Sequence, residues 1–282
     1  MIIEIKNNFD NYKLKDFFNY LKINTKNQNI LINNLLINNN KVDLNYILKE
    51  KDILNIDLSY FDYIDQIPTY HKLDIIYEDR DILIINKEKN MIIYDENSND
   101  NLVNYIAYYY KKNKINSKIR YIHRLDRDTT GLFIIAKHYL IHNYLNYILE
   151  NKILERKYLA LCINKFKNKE GIINEPISND RHSNKVIINK KGKEAITNYK
   201  VLKEHKNYSL VELKLETGRK HQIRIHMKSI NHPLLGDNLY NKESNLIDRC
   251  ALHSYSVKFY NPLEDKEINI KIDLPEDMKE IS

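Results

Sequence analysis

The chain has 282 residues, 43% hydrophobic and 29% charged, a balance that belongs to a globular protein and excludes wholesale disorder. No run approaches the roughly eighteen apolar residues of a membrane span, and the start Met1-Ile-Ile-Glu-Ile-Lys6 lacks a secretory h-region. A formal charge of +7 and a pI near 9.0 favour polyanionic partners, nucleic acid first, although a solvated lysine-rich surface gives the same total.

This length suits one catalytic core and a small accessory domain. Residues 1–60 are expected as a small mixed module, with a helix over Leu14–Leu21 and a short strand over Ile53–Leu58. Tyr60-Phe-Asp-Tyr-Ile-Asp-Gln-Ile-Pro-Thr69 reads as a connector, so residues 61–71 are set as a linker and 72–282 as the main domain. There, Ile82–Ile85 and Leu132–Ala136 have the length and composition of buried strands. Between them Asn99 or Asp100 is placed to cap a helix whose apolar face carries Leu102, Val103, Ile106, Ala107 and Tyr110. Leu140–Leu149 repeats that pattern, and the segments around Tyr158–Cys162, Ala195–Val201 and Val211–Leu215 alternate as strands. Without a strict βαβ rhythm, the elements predict an α+β fold on a mixed or antiparallel sheet.

Asn, Ile, Lys and Tyr are abundant while Gly and Pro number five each, as AT-rich codons would produce, so the remaining glycines mark positions under constraint. Three of them stand in segments dense in Arg, His and Asp: Tyr121–Lys137, Glu216–Met227 and His232–Asp237. In the first, Asp126 precedes a Thr-Thr-Gly turn leading into a strand, and the flanking Arg124 and Arg127 favour an ionised carboxylate suited to a nucleophile or base. A structural ion pair is the plain alternative. Asp126-Arg-Asp-Thr-Thr130 also fits the D-x-D-x-T pattern of magnesium-dependent phosphatases, but those place the strand before the first Asp and here it follows.

In the second segment Gly218 opens either a basic amphipathic helix or a strand, since Ile223-Arg-Ile225 alternates as well as it repeats. Either way Arg219 lies at an element boundary, where its planar fork can reach a carboxylate, with Asp126 the natural partner. His221 and His226 have no convincing third metal ligand. Cys162 and Cys250 form no C-x-x-C pair, which argues against a disulfide scaffold or cysteine–zinc site and for a reducing cytoplasm.

Together, His123-Arg-Leu-Asp-Arg-Asp-Thr-Thr-Gly-Leu132, Lys157-Tyr158, Gly192–Thr197, Thr217-Gly-Arg-Lys-His-Gln-Ile-Arg-Ile-His226, His232–Asp237 and Ala251–His253 resemble the RluA-like pseudouridine synthases, over most of residues 72–262. The resemblance implies a pseudouridine synthase fold with a central mixed, mainly antiparallel sheet flanked by helices. It implies isomerisation of uridine in structured RNA, ribosomal RNA of the large subunit first and transfer RNA second, with no cofactor or metal, no DNA or membrane partner, and a monomer. Asp126 would attack the uridine, Tyr158 would lie against the base and serve proton transfer at carbon five, and Arg219 would pair with Asp126. Arg124 would fill the space left by a flipped base, and His123, Leu125, Thr130, Gly131, Gln222, Arg224 and His226 would contact substrate. Residues 1–60 resemble, more weakly, the small α-L RNA-binding domain often fused to this family, with Lys51 where its glycine stands. The family's Lys-Pro-x-Gly stretch is here Lys87-Glu-Lys-Asn90, without either turn residue. A non-catalytic RNA-binding or ribosome-assembly protein is the alternative, and the intact Asp126, Tyr158 and Arg219 argue against it.

Overall fold

The computed structural model describes residues 2–6, 9–180, 183 and 185–282. Strands β1 (Ile2–Lys6), β2 (Leu35–Ile37) and β3 (Ile53–Asp57) form an antiparallel sheet in the order β1-β3-β2. Helices α1 (Leu14–Tyr20) and α2 (Thr25–Asn33) supply Phe17, Phe18 and Leu31 to its core. Asn24 caps α2 by accepting from the Asn27 amide. The segment after β3 is pinned to the main body: buried Asp62 pairs with Arg120 and accepts from the Tyr139 amide, while Phe61 stacks on Tyr139 with ring centroids 4.1 Å apart.

The main sheet begins with β4 (Ile75–Glu78) and β5 (Ile82–Lys87), then α3 (Leu102–Lys112), β6 (Arg120–Tyr121), β7 (Thr130–Ala136), α4 (Tyr139–Glu150) and β8 (Glu155–Ile163). The chain continues through β9 (Glu170–Asn174), then β10 (Ile177–Asn179) and β11 (Val186–Ile188), which form a separate antiparallel pair, then β12 (Ile196–Glu204) and β13 (Tyr208–Leu215). After α5 (Gln222–Ser229) come β14 (Leu252–Asn261), β15 (Lys266–Lys271) and α6 (Glu276–Lys279). The long path runs β4-β5-β7-β14-β8-β13-β12-β9, with β6 on β7 and β15 on β14. Among the described residues its one parallel pairing is β14 on β7, His253 with Thr130 and Ser254 with Gly131. The expected mixed, mainly antiparallel α+β architecture is present.

The continuous apolar runs belong to strands covered on both faces. Ile82 and Ile84 on β5, with Leu132, Ile134 and Ala136 on β7, pack towards α4 and share a core with the first sixty residues. Leu83 and Ile85, with Phe133 and Ile135, pack towards α3. The cap of α3 is Asn101, whose side chain accepts from the Asn104 amide, one residue beyond the positions expected. Asn90 takes a left-handed φ of 60°, so the altered turn uses asparagine for a conformation that glycine adopts freely.

Candidate active site

The loop carrying Asp126 is fastened from several sides. At the end of β5, Lys87 is almost fully buried and its Nζ donates to the carbonyls of Glu88, Met91 and Arg127. Burial pulls this ammonium down to about 7. Arg249 holds Asp277 through Nε and Nη2, and its Nη1 reaches the Asp128 carbonyl. Gly131 has φ +110°, and a Cβ there would lie 2.2 Å from the Ser254 carbonyl oxygen, so β7 and β14 can meet only at glycine.

Asp126 thereby faces a cleft of about 750 Å³ whose walls include Tyr94, His123, Arg124, Arg156, Tyr158 and Gly218. A recess of about 50 Å³ shares part of that lining and adds Thr129, Gln222 and Arg224. Arg224, the third residue of α5, makes three directed bonds. Its Nε and Nη2 donate to Asp237 at 2.8 and 2.6 Å, and its Nη1 donates to Asp126 Oδ2 at 3.0 Å. Burial disfavours the guanidinium charge, but the hydrogen bond and charge of Asp237 outweigh it and hold Arg224 protonated.

His221, the residue before α5, is held at φ 50° with its Nε2 3.8 Å from the same Asp126 oxygen. The Tyr240 hydroxyl accepts from the Val186 amide at 2.8 Å and lies 3.0 Å from His221 Nδ1, so its own proton is left for the imidazole. Burial lowers the His221 pKa, and this wiring turns a neutral ring's Nε2–H towards Asp126. Among the described residues no donor engages Asp126 Oδ1. Tyr158, on β8, is 3% exposed and burial raises its hydroxyl pKa, so it enters the cleft protonated at neutral pH.

A protein-family model described as RNA pseudouridylate synthase matches residues 81–229. The chain belongs to that family. It is 41% identical over 250 residues to the uncharacterized RNA pseudouridine synthase YhcT of Bacillus subtilis, covering 87% of this chain and 83% of that protein. It is 35% identical over 228 residues to ribosomal large subunit pseudouridine synthase D of Escherichia coli, covering 74% and 69%. Among solved structures, human RNA pseudouridylate synthase domain containing 1 superposes with a TM-score of 0.61 at 23% identity, covering 72% of this chain and 83% of that one. The chain is an RNA pseudouridine synthase, an isomerase of RNA uridine.

Several expectations for this synthase change once its side chains are placed. The partner of Asp126 is Arg224 and not Arg219: Arg219 is exposed on the rim and donates from Nε to the Glu194 carbonyl. It precedes the helix, whereas Arg224 rides its first turn into the interior. The sequence neighbours Arg124 and Arg127 are exposed, and Arg127 turns towards Asp128. His123 and Leu125 are buried in the cleft wall, His123 accepting from the Ile134 amide through Nε2. Four residues expected to touch substrate are bonded elsewhere. His226 is fully buried, with one ring nitrogen on Thr197 and the other on the Glu175 carbonyl. Gln222 lines the recess but ties Thr197, Ile196, Thr217 and the Arg219 amide together. Thr130 bonds His253, and Gly131 serves the strand contact.

Asp237, Arg156 and His221 take site positions that no role had been assigned from sequence. Arg156 had a usable signal, because it stands two residues before Tyr158 on a strand and so shares its face.

Proposed function

We propose that the cleft isomerises uridine with Asp126 as the reacting carboxylate, Tyr158 against the base and Arg224 as the group that orients Asp126. The observation that carries this reading is the asymmetry of Asp126, a residue of the cleft wall: Oδ2 is fixed by Arg224 while Oδ1 has no donor among the described residues. A carboxylate held by one oxygen presents the other in a defined direction.

In this reading the target uridine flips out of its stack, at a cost of a few kcal/mol that favours unpaired or distorted sites. The C1′–N1 bond breaks and its electron pair leaves with the base. The base turns, C5 joins C1′, and the proton lost from C5 is balanced by one gained at N1. Tyr158, protonated and beside the ring, is assigned to this exchange: its hydroxyl proton goes to N1 and the resulting phenolate takes the proton from C5, which returns the phenol. No metal or cofactor is needed for that balance. Arg124, exposed at the cleft, is assigned to the space the base vacates, and Arg219 on the rim to an RNA phosphate.

The substrate we assign is ribosomal RNA of the large subunit, because relatives over most of the chain carry that substrate in their names; transfer RNA comes second. Residues 1–60 are assigned as an RNA-binding module ahead of a catalytic domain over 72–282. The test is pseudouridine mapping of total RNA from cells with and without the gene, complemented by wild type or Asp126→Ala. One or more sites lost on deletion and restored only by wild type support the assignment. Restoration by Asp126→Ala rejects the carboxylate's role, and loss confined to transfer RNA rejects the ribosomal substrate.

A further inference from the structure

Arg156 has no place in the scheme above. It lies on β8, is 5% exposed, lines the cleft, and its Nε has no hydrogen-bond partner among the described residues. A buried guanidinium is normally paired with a carboxylate. The carboxylates around this cleft are engaged elsewhere or stand apart: Asp126 with Arg224, Glu194 with Lys152, Glu216 with Asn198, and Glu150 exposed at the end of α4. The Arg156 charge acts on Tyr158 and His123, neither of which supplies a negative charge at neutral pH.

The protein keeps room for this side chain. A Cβ on Gly218 would lie 3.3 Å from Arg156 Nη2, so a larger residue there would crowd the guanidinium. Arg156 and Tyr158, two positions apart on one strand, present the same face. An unpaired buried cation beside the ring that meets the base calls for an anion that arrives with the substrate.

Two anions come with an RNA uridine. Phosphates stay on the outside of the strand, and the exposed Arg219 and Lys220 on the cleft rim are the cations available to them. The other anion exists only during the reaction: once C1′–N1 breaks with its electron pair on the base, uracil carries a negative charge shared by N1 and its carbonyl oxygens. We propose that Arg156 holds this detached base, its guanidinium donating to a uracil oxygen while the ring turns beside Tyr158. The guanidinium stabilises the charge as it develops and keeps the fragment from leaving before C5 bonds to C1′. This rests on the cleft being where uridine reacts.

The test uses the full chain on unmodified large-subunit ribosomal RNA and transfer RNA transcripts, with single-turnover rates at saturating RNA and Kd measured separately. Arg156→Gln is expected to lower the rate about 10²–10³-fold, with Kd within about twofold of wild type. Arg156→Lys keeps the charge but not the planar fork and is expected about tenfold down. If Arg156→Gln does not fold, Arg156→Lys decides alone: a reduced rate supports the proposal and a wild-type rate overturns it. A Kd raised tenfold or more with an unchanged saturating rate makes Arg156 a phosphate contact and overturns it. Unchanged rate and Kd in both variants, with Asp126→Asn inactive, overturns this inference alone. Turnover by Asp126→Asn removes the cleft assignment beneath it.

Discussion

Replacing Arg224 with lysine keeps the positive charge and removes the geometry. The guanidinium spans two carboxylates with three directed bonds, two to Asp237 and one to Asp126. An ammonium on an unbranched stem cannot reproduce that span, and at this depth it is expected to settle on Asp237, leaving Asp126 Oδ2 without its donor. A charge-assisted hydrogen bond left unmade in a partly buried site costs about 1.5–3 kcal/mol, and breaking up a buried ion pair about 3–5 kcal/mol. If about 3–4 kcal/mol of this falls on the reaction barrier, turnover drops about 10²–10³-fold, at 1.36 kcal/mol per tenfold. Arg219→Ala provides the contrast, since its side chain is exposed and bonds a backbone carbonyl. It should lose less than about tenfold, mainly through weaker RNA binding. The assay is single-turnover pseudouridine formation at saturating RNA, with denaturant midpoints measured in parallel. Full turnover in Arg224→Lys, or a larger rate loss in Arg219→Ala, would refute the assignment of Arg224 as the partner of Asp126.

Gly131→Ala should destabilise by more than about 4 kcal/mol or prevent folding, since the new Cβ meets the Ser254 carbonyl at 2.2 Å on a φ of +110°; a near-wild-type urea midpoint would contradict that contact. Stability should fall on acidification from pH 6.5 towards 5. Burial holds His123 at about 3 and His253 at about 4, so the unfolded chain binds more protons in that window, costing on the order of 2 kcal/mol per histidine by pH 5. Urea midpoints equal at pH 7.5 and 5 would count against it. Tyr139→Ala removes the stack on Phe61 and should expose residues 61–71 to limited proteolysis, releasing the first sixty residues several times faster; an unchanged cleavage rate would show that the stack does not fasten them.

Apolar periodicity made the interior legible. Ile82–Ile85 and Leu132–Ala136 became strands covered on both faces, and the apolar stripe of residues 102–110 became α3. The ambiguity at Ile223-Arg-Ile225 was of another kind. Alternation and helical spacing coincide over three residues, and the decision for helix follows from Gln222, whose side chain closes the turn onto Thr217 and the Arg219 amide. Choosing between Arg219 and Arg224 required knowing where that helix begins, because five residues along a chain entering a helix separate rim from interior. The carrier of Asp126 was readable for a different reason: its loop precedes a strand, and Gly131 is demanded by a backbone contact that no other residue tolerates. That contact lies between positions 131 and 254, a separation that no local pattern reports.

The place of β14 also sets an order of assembly. It lies between β7 and β8, yet it is made after every strand of the long path on either side of it. Without β14 the long path divides into two parts, β4-β5-β7 and β8-β13-β12-β9, each with an open edge for the same strand. The strand that unites them supports Gly131 on one side and pairs with Tyr158 through Ser254 on the other. Joining so late and across such sequence distance is slow, as for any sheet built from distant segments. The two walls of the cleft, the loop ahead of Gly131 and the strand of Tyr158, are therefore brought together only when β14 joins them.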